Sequence, residues 1–283
     1  MKATMTRIDT HQHFWTFQPA NYGWIDESMA SLRRDFGPPD LEPELRRAQV
    51  SGTLLVEARG HLDETENLLR IAASTPFVRG VVGWLPLAEQ NAEAALERYA
   101  AEPLLRGVRH WLGAASDTHY MFDAGLNRGV ARLRHYGLAY DLMLWPPQLA
   151  AVARFVDAHP EQIFVLDHFA KPMIRSGGFE PWRTDLADLA RRPNVYCKIS
   201  GLATEADRAR WTLADLQPYL DTALEAFTPQ RLMFGSDWPV CTLATRYERW
   251  TDTLATWLAA LSPSEQARIW GGTAVEAYQL GSR

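Results

Sequence analysis

The sequence predicts an α/β fold: a single (β/α)8 TIM barrel with a long loop after strand one and an extra C-terminal helix. Three observations lead there. Eight short β-branched or apolar runs alternate with stretches of helical period, the pattern of a parallel sheet wrapped by helices. No Gly-x-Gly-x-x-Gly follows the first run, which removes an open dinucleotide-binding sheet. The chain has 283 residues, 47% hydrophobic and 22% charged, which suits one barrel with insertions better than two smaller units. One domain over residues 1–283 is therefore expected.

The elements follow in order. Strand one is expected over Thr6-Arg7-Ile8-Asp9-Thr10-His11. Residues 14–39 form a long aromatic loop with Trp15, Tyr22 and Trp24, and a loop of that length on a compact domain points to function. Strands two to four are expected at residues 53–57, 78–84 and 107–111, and strands five to eight at 138–144, 163–168, 195–200 and 231–235. Between them, residues 63–75 repeat Leu68, Leu69, Ile71 and Ala72 at helical spacing, and residues 147–158 do so with Leu149, Val152, Phe155 and Val156. Residues 262–280 read as the extra helix, with Ser262 as N-cap, Pro263 at the first helical position and Glu265 completing a capping box; its expected role is packing.

Composition narrows the partners. The net charge is -5 and no basic run of five or more occurs, so neither nucleic acid nor an anionic membrane is expected. The first seven residues lack the apolar core of a signal peptide, and no stretch reaches the ~18 apolar residues of a membrane span. The two cysteines, Cys197 and Cys241, read as reduced thiols. A cytoplasmic protein acting on a small molecule, as a monomer or small homo-oligomer, is the expectation.

In this fold the active site lies at the C-terminal ends of the strands. His11 and His13 project to one face because strand side chains alternate with a period of two, and two converging imidazoles can share a cation. Asp237, in Phe234-Gly235-Ser236-Asp237-Trp238-Pro239, ends strand eight, which meets strand one in a closed barrel. The other strand ends supply Glu57, Arg109 and His110, Asp141, His168 and Lys198. Polar groups in apolar strands cost several kcal/mol unless paired, so their gathering at one mouth points to use. Arg109 and His110 are neighbours, so only one faces inward if the strand persists; Asp141 either binds substrate or pairs with Arg109. His61, His119, His135 and His159 read as solvated. Trp84, Trp111, Trp145 and Trp238 fall at strand ends, where aromatic faces suit the C–H patches of sugars or cap the barrel by packing alone. No Gly-x-Ser-x-Gly elbow is present, so no serine nucleophile is expected.

Five motifs together resemble the amidohydrolase superfamily: Asp9-Thr10-His11-Gln12-His13-Phe14-Trp15, Gly107-Val108-Arg109-His110, Leu166-Asp167-His168-Phe169-Ala170-Lys171-Pro172, Lys198-Ile199-Ser200-Gly201-Leu202 and Phe234-Gly235-Ser236-Asp237-Trp238-Pro239. They are most similar to its branch of sugar-lactone hydrolases, the L-fuconolactonases and L-rhamnonolactonases. By position, the resemblance implies that His11, His13 and Asp237 are metal ligands and His168 the strand-six histidine. No lysine ends strand four, and Asp141 stands where strand five usually offers histidine. It therefore implies at most one divalent ion, such as zinc, and lactonases of this branch that dispense with metal leave its necessity open. The implied reaction is opening of an aldonolactone to the sugar acid, with Asp237 and His168 catalytic. Glu57, Arg109, His110, Asp141, Trp24, Trp145 and Lys198 are the expected substrate contacts. Two rivals stay open: a metal-dependent decarboxylase of a small aromatic or unsaturated acid, and a non-catalytic barrel that binds a sugar acid.

Overall fold

Runs such as Thr53-Leu54-Leu55-Val56, apolar on both faces, can only pair in parallel with neighbours if helices cover them, because a parallel crossover needs a dozen or more residues. The computed structural model of the chain, which describes residues 6–112 and 117–281, shows that arrangement. Its strands are β1 (Ile8–Gln12), β2 (Gly52–Val56), β3 (Val78–Gly83), β4 (Leu105–Trp111), β5 (Ala139–Met143), β6 (Phe164–Leu166), β7 (Val195–Ile199) and β8 (Leu232–Phe234). They pair in sequence order, β1 to β8. Closure comes from the first and last strands: the Asp237 amide donates to the His11 carbonyl at 2.8 Å and the His13 amide to the Trp238 carbonyl at 2.7 Å.

Alternation sorts the side chains. Leu54, Val56, Val82, Ala139, Val165, Tyr196 and Met233 form an inner cluster filling the barrel, while Leu55, Val81, Val108, Leu142, Leu166, Ile199 and Phe234 belong to the larger core under the helices. Pairing places Arg109 opposite Asp141 and Asp141 opposite Val165, so polar side chains share a layer with apolar ones inside the barrel.

The expected helices form at Leu62–Ala73 and Leu149–Asp157. The C-terminal segment begins as expected, with Ser262 Oγ accepting the Glu265 amide and the Glu265 carboxylate accepting the Ser262 amide. It is not one helix, however. A π-helical turn at Arg268–Gly272 separates Pro263–Ala267 from Thr273–Ala277. There Gly271 lies so close to the Thr6 carbonyl that a Cβ would sit 2.4 Å from its oxygen. The segment does more than pack on the shell. Ala277 and Tyr278 join the inner cluster and plug the barrel floor.

Residues 14–39 fold back over the mouth. The Trp15 amide and carbonyl exchange hydrogen bonds with Phe36 at 3.0 and 2.9 Å, and Trp24 Nε1 donates to the Ala58 carbonyl at 2.8 Å. No helix among the described residues is long and apolar enough to cross a membrane.

Candidate active site

Asp9 builds the seam between β1 and β8. Its carboxylate accepts the amides of His11 (3.1 Å) and Ser236 (2.8 Å) and the Tyr247 hydroxyl (2.8 Å), which fixes the chain on either side of the catalytic candidates. Burial raises its carboxyl to about 6. From this seam His11 and His13 converge, with their Nε2 atoms 3.2 Å apart. Asp237 Oδ1 lies 3.5 Å from His13 Nε2, 3.8 Å from His11 Nε2 and 3.9 Å from His168 Nε2. One carboxylate therefore sits among three imidazoles. Burial alone would raise the Asp237 carboxyl, but His168, then His13 and His11, outweigh it and hold it below the usual carboxylate range.

His168 arrives by a route that alternation does not show. Strand β6 ends at Leu166, two residues short of the expected end, and His168 to Lys171 all adopt left-handed backbone, with φ between +53° and +56°. Such conformations cost ~1–2 kcal/mol per residue and persist where the surroundings impose them. Here the Trp182 indole holds the Phe169 carbonyl at 2.7 Å, and Ser200 Oγ lies 2.8 Å from His168 Nδ1. Gly201 completes the fit: it has φ +71°, and a Cβ there would meet the His168 ring at 2.8 Å. Burial lowers the His168 imidazole to about 4, so it is neutral at neutral pH.

A buried ionic cluster lies beside and beneath these groups. Arg109 Nε donates to Glu57 Oε1 at 2.7 Å, and its Nη1 donates to Asp167 Oδ2 at 3.1 Å and lies 3.3 Å from His11 Nε2. Lys198 Nζ is 2.5 Å from Asp141 Oδ2, 3.0 Å from Asp167 Oδ1 and 3.3 Å from His11 Nδ1. Tyr278, from the barrel floor, donates to Asp141 at 2.8 Å. Burial raises the Asp141 carboxyl to about 6, although Lys198 opposes the rise. Burial would raise Asp167 too, but Lys198, His11 and Arg109 outweigh it and hold it well below its ordinary value.

The cavity above has a volume of about 270 Å³ and is lined by His13, His168, Asp237 and Arg109 on its polar side and by Trp24, Met29, Trp111, Met143 and Trp145 among its apolar walls. Of the expected substrate contacts, Arg109, Trp24 and Trp145 reach it. Glu57, Asp141 and Lys198 do not line it; all three are fully buried in ion pairs, because mid-barrel charges must be neutralised where they lie. Asp141 pairs with Lys198, not with Arg109. Arg109 is the inward one of its pair, and His110 instead stacks on Trp84 at 5.1 Å in a neighbouring cavity. Trp238 packs against Phe14 and Phe36 away from the mouth. His159 is half-buried, with Nε2 2.8 Å from Asn127 Oδ1, rather than solvated. Asp167 is the residue that sequence reasoning passed over in favour of its neighbour. The signal was available, since Val165 faces the barrel interior and Asp167 follows it by two.

The residues fit one divalent cation. His11, His13 and Asp237 place their ligand atoms within 4.8 Å of one another, as do His11, Asp167 and His168. His13 Nδ1 donates to the Val56 carbonyl at 2.8 Å, which puts the ring hydrogen there and leaves the Nε2 lone pair facing Asp237. Imidazole with carboxylate is a donor set that suits zinc. Charge balance agrees: the carboxylates of Glu57, Asp141, Asp167 and Asp237 face only Arg109 and Lys198 as permanent cations.

Known proteins share both sequence and architecture with this chain. A curated L-fucono-1,5-lactonase of Burkholderia multivorans is 41% identical, covering 97% of this chain and 96% of its own length. A second, of Burkholderia ambifaria, is 36% identical over the same shares. A crystal structure of an amidohydrolase from Burkholderia multivorans with bound zinc superposes with a TM-score of 0.92 at 40% identity, covering 97% of this chain and 99% of that one. A dihydroxybenzoic acid decarboxylase of Polaromonas, 15% identical with a TM-score of 0.69, shares the fold alone. Residues 8–280 match the amidohydrolase family from the first residue of β1 to the barrel plug, so the chain belongs to that family.

Proposed function

We propose that the protein opens an aldonolactone, L-fucono-1,5-lactone or a close analogue, to the free sugar acid. It is a lactonase, a carboxylic ester hydrolase, like the curated relatives that match it along nearly its whole length. The observation that carries the mechanism is Asp237, an ionised carboxylate among three imidazoles on the floor of a cavity that Arg109 also lines.

Lactone hydrolysis needs an acceptor for a proton of the attacking water and donors for the carbonyl oxygen as it gains charge. Asp237 takes that proton as the water attacks and returns it to the ring oxygen as the C–O bond breaks. Arg109 is held by Glu57 on one side and Asp167 on the other, so its guanidinium meets the developing oxyanion without first reorganising. A Ser200 hydroxyl donated to His168 Nδ1 puts the ring hydrogen on Nε2, where it orients the water or holds the carbonyl oxygen. Trp24, fixed through its indole N–H, and Trp145 flank the sugar ring. His11, His13 and Asp237 would hold a divalent ion such as zinc, which when bound polarises a carbonyl and acidifies a water.

The test is a panel of L-fucono-, L-rhamnono-, L-galactono- and D-arabinonolactones followed with a pH indicator, beside a panel of aromatic acids assayed for carbon dioxide. Acid release from at least one lactone and no decarboxylation are expected. Carbon dioxide release would favour the decarboxylase, and silence in both panels a barrel that only binds.

A further inference from the structure

We propose that the cavity beside the catalytic one is a subsite for a second sugar ring, so that the protein takes aldonolactones bearing a glycosyl substituent; this rests on the lactonase reading of the main site. The second cavity measures about 370 Å³ and shares Trp24, Ala58 and Trp111 with the catalytic cavity of about 270 Å³. The first alone lies at the lower edge of the ~300–1,000 Å³ usual for ligand pockets, and the two joined fall inside it.

The second cavity is equipped for a polyol. His110 lines it at 4% exposure, and its Nε2 lies 2.5 Å from the Leu85 carbonyl. A carbonyl only accepts, so the ring hydrogen is on Nε2 and Nδ1 carries a lone pair. Among the described residues no hydrogen bond reaches that Nδ1. Burial lowers the His110 imidazole, which keeps it a neutral acceptor. Trp84 stacks on the ring at an interplanar angle of 13°, so its orientation is fixed. Arg59, also in the lining, pairs with Asp63 through Nη2, while its Nε–H is buried without an acceptor.

One fixed acceptor and one unspent donor between aromatic faces match a pyranose. Its hydroxyls both donate and accept, and its C–H faces stack on indoles. An apolar ring would leave both polar groups unpaired, and an anion would meet the His110 lone pair. Trp111 marks the junction. It stands between the cavities with its edge against Trp145 at 6.0 Å and remains 36% exposed, an apolar face that a two-ring ligand would cover.

The experiment compares L-fucono-1,5-lactone with its 2-, 3- and 4-O-glucosyl derivatives on the wild type, Trp84→Leu and His110→Phe. At least one glucosyl lactone should be hydrolysed with kcat/KM within tenfold of the plain lactone. Each variant should lower the ratio of glucosyl to plain kcat/KM by tenfold or more, with plain-lactone turnover serving as the folding control. Hydrolysis of the plain lactone with none of the glucosyl derivatives accepted would overturn the subsite, as would ratios that the variants leave unchanged. If no lactone at all turns over, the lactonase reading fails instead. Quenching of tryptophan fluorescence by the glucosyl aldonic acids would then decide the subsite, supported if Trp84→Leu abolishes it and overturned if there is none.

Discussion

Replacing Asp167 by Asn probes the cluster that holds the site together. The carboxylate has no solvent contact and lies 3.0 Å from Lys198 Nζ, 3.1 Å from Arg109 Nη1 and 3.2 Å from His11 Nδ1. An amide keeps the shape and removes the charge, so Lys198 retains Asp141 alone and Arg109 retains Glu57 alone. Breaking a buried pair from one side costs ~3–5 kcal/mol, because the orphaned charge stays desolvated. Set against a total stability of ~5–15 kcal/mol, that is a large share. At ~2–4 °C per kcal/mol for a chain of this size, the melting temperature should fall by roughly 6–20 °C. Thermal and urea unfolding followed by circular dichroism would read it. Adding Lys198→Met to Asp167→Asn should recover part of the loss, with a coupling of ~1–3 kcal/mol in the double-mutant cycle. A single variant within ~1 kcal/mol of wild type, or strictly additive substitutions, would refute the claim that these charges are mutually dependent.

Two further outcomes follow from the same geometry. His168 is held near 4 by burial, against an unfolded value of 6.5, so the unfolded chain binds more protons between those values and the native state gains stability as pH rises through that window. The melting temperature of wild type relative to His168→Gln should therefore shrink as pH falls from 6.5 to 4, and the acid limb of kcat/KM should lie near 4; a limb near 6.5 would contradict a neutral buried imidazole. Zinc added after chelator treatment should raise the melting temperature of wild type, by ~2.7 kcal/mol of stability at a hundredfold excess over Kd, and should leave His13→Ala unmoved; equal shifts in both would place the cation elsewhere.

Much of this was legible in the sequence, for reasons that differ by residue. His11 and His13 obey strand alternation, and Asp237 needed only the closure of β1 on β8, so their meeting follows from period and topology. Asp167 obeys alternation as well, and was hidden only by the histidine after it. His168 violates alternation, and its route into the site depends on four left-handed residues that no periodic pattern encodes. Glu57, Asp141 and Lys198 were visible as polar residues at or near strand ends, but which charge pairs with which depends on inter-strand register. The same register puts Arg109 at the catalytic cavity and leaves His110 to the adjoining one.

The most direct test of the catalytic assignment is the kcat of Asp237→Asn on L-fucono-1,5-lactone. The carboxylate that accepts the water's proton is gone while the cavity keeps its shape, so turnover should fall by ~10²–10⁴-fold with lactone binding still measurable. A variant that binds the lactone and retains turnover within tenfold of wild type would remove Asp237 from the role of base.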